Sequence, residues 1–264
     1  MKGAPLAEVV EYLDDYLRIK EVPDESTAVN GLQVENGGMI GSLVAAVDAS
    51  QATIDGVVEA ARGTEGRAPP LLLVHHGLFW DGNRPVTGRR YRRLYALLSA
   101  DAAVYSAHIP LDLHPDVGNN VVLAERLGLE VEGRFGDYRG VALGVWGHAP
   151  HGLESRDALA AELGRVLGSD PAKLIPGGPE RVNRVGIITG GAASMLKDAQ
   201  TAGLDTFITG EGAHHTYFDA MEAEVNLLLG GHYATESLGV QALASHLADR
   251  FDLPWEFHDH PTGL

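Results

Sequence analysis

The chain has 264 residues, no cysteine and a formal net charge of −16, from 20 Lys and Arg against 36 Asp and Glu. Disulfides, thiolate metal sites and a cysteine nucleophile are excluded. Without a basic excess, non-specific nucleic-acid binding is not expected, because counterion release from phosphates needs clustered positive charge. Hydrophobic content of 45% and charged content of 21% suit a globular α/β chain with a substantial core. No run reaches the roughly 18 apolar residues of a membrane span, and residues 1–10 lack a continuous apolar signal segment. A cytoplasmic protein with no membrane partner is expected.

Residues 5–20 form an amphipathic helix by periodicity, with Leu6, Val9, Val10, Leu13, Tyr16 and Leu17 on one face. Asn30-Gly31-Leu32-Gln33-Val34 turns into a short strand, and 43–47 is a second strand ending at Asp48. A helix over 51–62 follows, with Asp48 or Ser50 as its cap. Next come a loop at 63–70, a strand at 71–74, a polar Arg-rich loop over 87–93, a helix over 90–100 and a strand at 102–107. The turn through 114–120 leads into a helix over 119–127. Strands alternating with helices predict a sheet largely parallel at its centre.

The second half begins with a β-pair at 135–138 and 141–146. A helix over 154–167, a Pro/Gly-rich link at 170–180, a strand at 185–189 and a helix over 193–202 follow. A strand at 206–209, a helix over 213–222, a strand at 225–229 and a long helix over 234–250 complete the order. The fold class is α/β, with mixed, largely parallel sheets in two lobes. The first lobe is expected to comprise 1–127 plus about 231–264, and to carry most of the candidate ligands. The second comprises 128–230.

The chemistry concentrates at predicted strand ends. His75 and His76 follow the strand at 71–74, Asp112 follows the strand at 102–107, and His232 with Glu236 follows the strand at 225–229. That edge of an open α/β sheet is where ligand sites form. His232 and Glu236 are four apart, so they share one helix face. Alone, Asp112 reads as a turn residue and Glu236 as a solvated helix charge. Together the five make a nitrogen and carboxylate set for divalent metal, with Glu236 placed to bridge two ions. His108, His148, His151, His246 and His258 read individually as buried imidazoles hydrogen-bonded to backbone.

Five segments carry a family resemblance. They are Asn30-Gly31-Leu32-Gln33-Val34, His75-His76-Gly77-Leu78-Phe79-Trp80, Ser106-Ala107-His108-Ile109-Pro110-Leu111-Asp112, Thr209-Gly210-Glu211-Gly212-Ala213-His214-His215 and Gly230-Gly231-His232-Tyr233-Ala234-Thr235-Glu236. In this order the chain resembles the Nif-three-like dinuclear-metal proteins, also called type 2 GTP cyclohydrolase I homologues. The resemblance implies the Nif-three-like fold, a homohexamer, and two divalent ions per chain held by His75, His76, Asp112, His232 and Glu236. Gly77 stands where the family usually has Pro, which is expected to loosen that loop, and Glu211 stands where it usually has Asp. The chain also lacks the inserted domain of longer relatives.

Two ions about 3.5–4 Å apart can lower the pKa of a shared water and deliver hydroxide near neutrality. The expected function is a metal-dependent hydrolase acting on a small-molecule substrate. The family name points to hydroxide attack on a purine nucleotide of the GTP cyclohydrolase type. His215 and His108 are the candidate proton shuttles. The ions can be zinc, manganese, iron, cobalt or nickel, since imidazole and carboxylate admit all of them. The alternative is a non-catalytic protein that stores or delivers metal or acts through a regulatory interaction. The loop at 189–194 reads as tight-turn packing or as a phosphate cradle. Arg84, Arg89, Arg90, Arg92 and Arg93 read as a solvated helix face or as a gate for an anionic substrate.

Overall fold

The computed structural model describes residues 3–63 and 68–264. The chain divides into two compact units, one of residues 1–111 and 240–260 and the other of residues 112–239 and 261–264. The expected division gave 112–127 and 231–239 to the first lobe, whereas here they lie in unit 2. Unit 1 therefore holds His75 and His76, while Asp112, His232 and Glu236 belong to unit 2.

Unit 1 begins with the short strand β1 (Ala4–Pro5) and helix α1 (Leu6–Tyr16), which buries Leu6, Val9 and Leu13. Strands β2 (Gly31–Val34), β3 (Met39–Ile40) and β4 (Ser42–Asp48) follow. Helix α2 (Gln51–Arg62) is capped by Ser50, whose side chain accepts from the Thr53 amide. Of the expected loop at 63–70, residues 64–67 lie outside the described ones. Strand β5 (Pro70–His76), helix α3 (Gly88–Ser99) and strand β6 (Ala103–Ser106) complete this stretch.

Strands β4, β5 and β6 run parallel, and β2 joins β6 antiparallel at the edge. The parallel strands are buried along nearly their whole length, as their continuous apolar runs require. Helices α2 and α3 help cover this sheet around Ile54, Val57, Leu72, Leu97 and Val104.

Several short elements differ from expectation. His75 and His76 are the last residues of β5 rather than the first beyond it. The segment 87–93 is helical from Gly88, with Thr87 extended at its start. Arginine is a good helix former, and polarity alone does not make a loop. Arg90 pairs with Asp81 and donates to the carbonyls of Gly82 (2.7 Å) and Arg84 (2.9 Å), so this helix pins the preceding segment.

Unit 2 starts at the end of a one-turn helix, α4 (Ile109–Asp112), which periodicity did not register, and continues with α5 (Asn119–Leu127). Strands β7 (Gly133–Tyr138) and β8 (Val141–His148) form the expected hairpin, and α6 (Arg156–Leu167) follows. The Pro/Gly-rich link contains a strand, β9 (Lys173–Pro176). Then come β10 (Arg184–Ile187), a 3₁₀ turn at Ala193–Met195, α7 (Leu196–Thr201), β11 (Thr206–Thr209), α8 (Thr216–Ala223) and β12 (Asn226–Leu229).

The sheet order in unit 2 is β7-β8-β10-β11-β12-β9. Only the β10-β11-β12 centre is parallel; the other pairs are antiparallel. Parallel dominance thus holds in unit 1 and at the centre of unit 2, and the architecture is mixed α/β. Helix α9 (His232–Phe251) is followed by a strand, β13 (Trp255–Phe257), which joins β4 in parallel. Among the described residues, no helix is long and apolar enough to cross a membrane.

Candidate metal centre

In unit 1 the end of β5 carries His75 and His76. His75 is fully buried, and its Nδ1 lies 2.9 Å from the Ala107 carbonyl oxygen. A carbonyl only accepts, so Nδ1 carries the proton and Nε2 is the basic nitrogen. His76 Nδ1 lies 2.9 Å from Asp48 Oδ1, which selects the same tautomer. The two rings are 4.8 Å apart between centroids. Adjacent strand residues point to opposite faces in a regular ladder. Here the terminal pair brings both rings together.

His108, in the turn after β6, joins them. Its ring centroid is 5.0 Å from that of His75 and 5.7 Å from that of His76. Its Nδ1 donates to the Asp24 carboxylate, at 2.9 Å to Oδ1 and 3.1 Å to Oδ2. Burial alone would raise the Asp24 pKa, but the hydrogen bond and charge of His108, aided by Asn30 and the Glu25 amide, hold it below the usual range.

The motif at 30–34 organises these loops. Asn30 Oδ1 accepts from the His108 amide at 2.8 Å, and Asn30 Nδ2 donates to Asp24 Oδ2 at 2.8 Å. Gln33 accepts from the Leu78 amide at 2.7 Å and donates to the carbonyls of Ala28 and Val29. A Cβ at Gly77 would meet the Gln33 amide nitrogen at 2.2 Å. The absence of a side chain at Gly77 therefore makes room for the clamp that holds the loop.

Unit 2 carries the other candidates. His232 begins α9, with Nδ1 2.8 Å from Glu211 Oε1 and Nε2 3.1 Å from Glu236 Oε2. Glu236 is 3% exposed. Its hydrogen bond, opposed by desolvation and reinforced by its charge and by Glu211, pushes the His232 pKa up to about 9. A proton and a divalent ion compete for these same nitrogen and oxygen lone pairs. Asp112, 5% exposed, accepts from Asn119 Nδ2 at 2.8 Å, while Asn119 Oδ1 accepts from the Gly239 amide at 2.6 Å.

The loop after β10 packs against this set. Gly190 has φ +71°, and a Cβ there would lie 2.0 Å from Glu236 Oε1. The amides of Thr189, Gly190 and Ala192 donate to Asn120, Thr235 and Thr209 respectively. Of the two expectations for this loop, tight packing describes these bonds.

A family model described as Duf34/NIF3 (NGG1p interacting factor 3) matches residues 4–262. The chain belongs to the DUF34/NIF3 family. A relative named GTP cyclohydrolase 1 type 2 homolog, from Deinococcus radiodurans, is 40% identical over 257 residues, 97% of this chain and 94% of the relative. A relative of the same name from Halobacterium salinarum is 40% identical over 262 residues, 98% of this chain and 99% of its own. Among solved structures, protein ybgI, of unknown function, matches at a TM-score of 0.87 and 35% identity, covering 99% of this chain and 100% of its own. TTHA1606 from Thermus thermophilus matches at 0.85 and 38% identity, with the same coverage.

In this DUF34/NIF3 chain, unit 1 thus brings His75, His76 and His108 together, and unit 2 brings His232 and Glu236 together. His215 lies at the start of α8 with 71% of its side chain exposed, 4.0 Å from Asp219. His148, His246 and His258 lie against the side chains of Glu132, Tyr12 and Glu256 rather than against backbone. The sequence did not single out Asp24, Asp48 or Asn119. Asp48 was weighed only as a helix cap, whereas its carboxylate accepts from His76. Its distance from His76 along the chain left no local signal.

Proposed function

We propose that this NIF3-family protein is a divalent-metal-dependent hydrolase, with His75, His76, Asp112, His232 and Glu236 as the residues that hold two ions. The observation that carries the reading is the orientation of the imidazoles. His75, His76 and His232 each have Nδ1 committed to an oxygen acceptor. Such partners fix the tautomer and direction of metal-ligating histidines. The neutral-imidazole and carboxylate donor set fits zinc, manganese, iron, cobalt or nickel.

Bound ions would supply Lewis acidity and an acidified water. The residues do the rest. Ala107, Asp48 and Glu211 keep the basic nitrogens aimed, Asn119 holds the Asp112 carboxylate, and Gly190 leaves room for that of Glu236. His215, exposed beside Asp219, is the proposed proton shuttle. The relatives' name supports a purine nucleotide as the substrate class, with opening of the guanine imidazole ring as the reaction. Cytoplasmic location and a homohexamer belong to the same reading and are checked by fractionation and analytical ultracentrifugation.

The test is metal content per chain, by elemental analysis, for wild type and Glu236→Ala, with GTP turnover measured on both. About two ions in the wild type, a clear loss in the variant and turnover that falls by orders of magnitude with folding intact are expected. Unchanged turnover in Glu236→Ala would sink the hydrolase reading.

A second reading, metal storage or delivery, draws on the partial exposure of His76 and His232, with 20% and 30% of their side-chain surface accessible. A delivery protein releases its ion readily to an acceptor chelator. A hydrolase retains it through many turnovers.

A further inference from the structure

His108 is more than one of several scattered histidines. Strands β5 and β6 are parallel with Val74 opposite Ser106. His76 and His108 each lie two positions beyond that pair, so adjacent strands deliver them to the same level of the sheet edge. One ring nitrogen from each of His75, His76 and His108 lies within 4.8 Å of those of the other two.

The three rings share a second property. Each has Nδ1 within 2.9 Å of an oxygen: the Ala107 carbonyl, Asp48 Oδ1 and Asp24 Oδ1. Oxygen acceptors on all three Nδ1 atoms leave all three Nε2 atoms basic. Three imidazoles anchored in this way and clustered in one patch make a candidate ligand set, since imidazole is the commonest metal-binding side chain and needs its other nitrogen anchored.

The anchoring of His108 is the most elaborate of the three. Asp24 receives its Nδ1–H with both carboxylate oxygens, and Asp24 Oδ2 also accepts from the Ile109 amide at 3.1 Å. Asn30 ties the His108 amide and Asp24 together. The Trp80 ring stands edge-on to His108 at 4.8 Å, with an interplanar angle of 83°, and limits its rotation. A surface imidazole does not need this scaffold.

We propose that His108 is a metal ligand, the third imidazole of a His75-His76-His108 set in unit 1, and that Asp24 is its positioning residue. The inference rests on the metal reading above and enlarges its five-residue ligand set. It also gives His108 a role other than proton transfer.

The experiment is a titration of the chelated full-length protein with cobalt(II) alone, followed by calorimetry and by visible absorption, which reports the ligand field. Wild type is compared with His108→Ala, His108→Gln and Asp24→Asn, each checked for folding by circular dichroism. The expected result is a loss of more than about 100-fold in affinity, or of one bound ion, in both His108 variants, with an altered cobalt spectrum. Asp24→Asn should lose about 10–100-fold and keep the wild-type stoichiometry.

If His108→Ala does not fold, His108→Gln carries the test, since it retains volume and polarity. Wild-type affinity, stoichiometry and spectrum in a folded His108 variant would overturn the inference while leaving the metal reading intact; lost turnover in that variant would assign His108 to proton transfer. Absence of cobalt binding in the wild type would instead overturn the metal reading, and this inference with it.

Discussion

Glu211 Oε1 accepts the Nδ1–H of His232 at 2.8 Å, across 21 residues of sequence. Glutamate thus reaches the imidazole at a position where the family resemblance leads one to expect aspartate. Because the bond selects the nitrogen that His232 would offer to an ion under the proposed metal reading, Glu211→Ala should weaken zinc binding by about 10–100-fold. Calorimetry on the folded variant measures it, and unchanged affinity would remove Glu211 from the site.

The His232 pKa of about 9, raised from 6.5 chiefly by its hydrogen bond to Glu236, makes the metal-free protein sensitive to pH. A raised folded-state pKa contributes stability that is complete below about 6.5 and is lost as pH rises through about 9. Melting temperatures of chelated wild type and Glu236→Gln should therefore differ most near pH 6 and converge towards pH 10. A gap independent of pH would show that the pair does not share the proton in this way.

Gly190 and Gly203 both have φ +71°, but only Gly190 has a neighbour that an added Cβ would strike. Gly203→Ala should cost about 1–2 kcal/mol for the left-handed conformation and leave metal binding unchanged. Gly190→Ala incurs the same cost and also displaces the Glu236 carboxylate, so it should be less stable and lose metal. Denaturant melts and elemental analysis of the pair separate backbone strain from the steric effect.

Asn119 is fully buried and bonds both Asp112 and the Gly239 amide. Asn119→Ala leaves these groups without that partner and should destabilise the protein by about 1–3 kcal/mol. Urea denaturation checks the magnitude. A loss below a few tenths would mean that water or a rearranged neighbour replaces the amide.

Much of the fold was legible because the long elements repeat their signal. The runs at 43–47, 71–74 and 206–209 lie within strands, that at 225–229 is a strand from Asn226, and the periodic helices at 51–62 and 119–127 have the expected bounds. Strands β9 and β13 were not legible, since each is only 4 and 3 residues long and depends on the strand beside it. Lys173–Pro176 in particular sits in a stretch whose composition favours turns, and its pairing with β12 overrides that local preference.

By itself, the sequence determined the α/β class, the absence of thiolate ligands and the placing of histidine and carboxylate residues at or near strand ends. All of these follow from composition and short-range periodicity. Tertiary structure alone decided that His108 joins His75 and His76, because the register of β5 against β6 sets its level. It alone decided that Asp24 and Asp48 select the tautomers of His108 and His76, as they lie 84 and 28 residues away. A hydrogen bond depends on distance and direction in space, and chain separation encodes neither until the strands have paired.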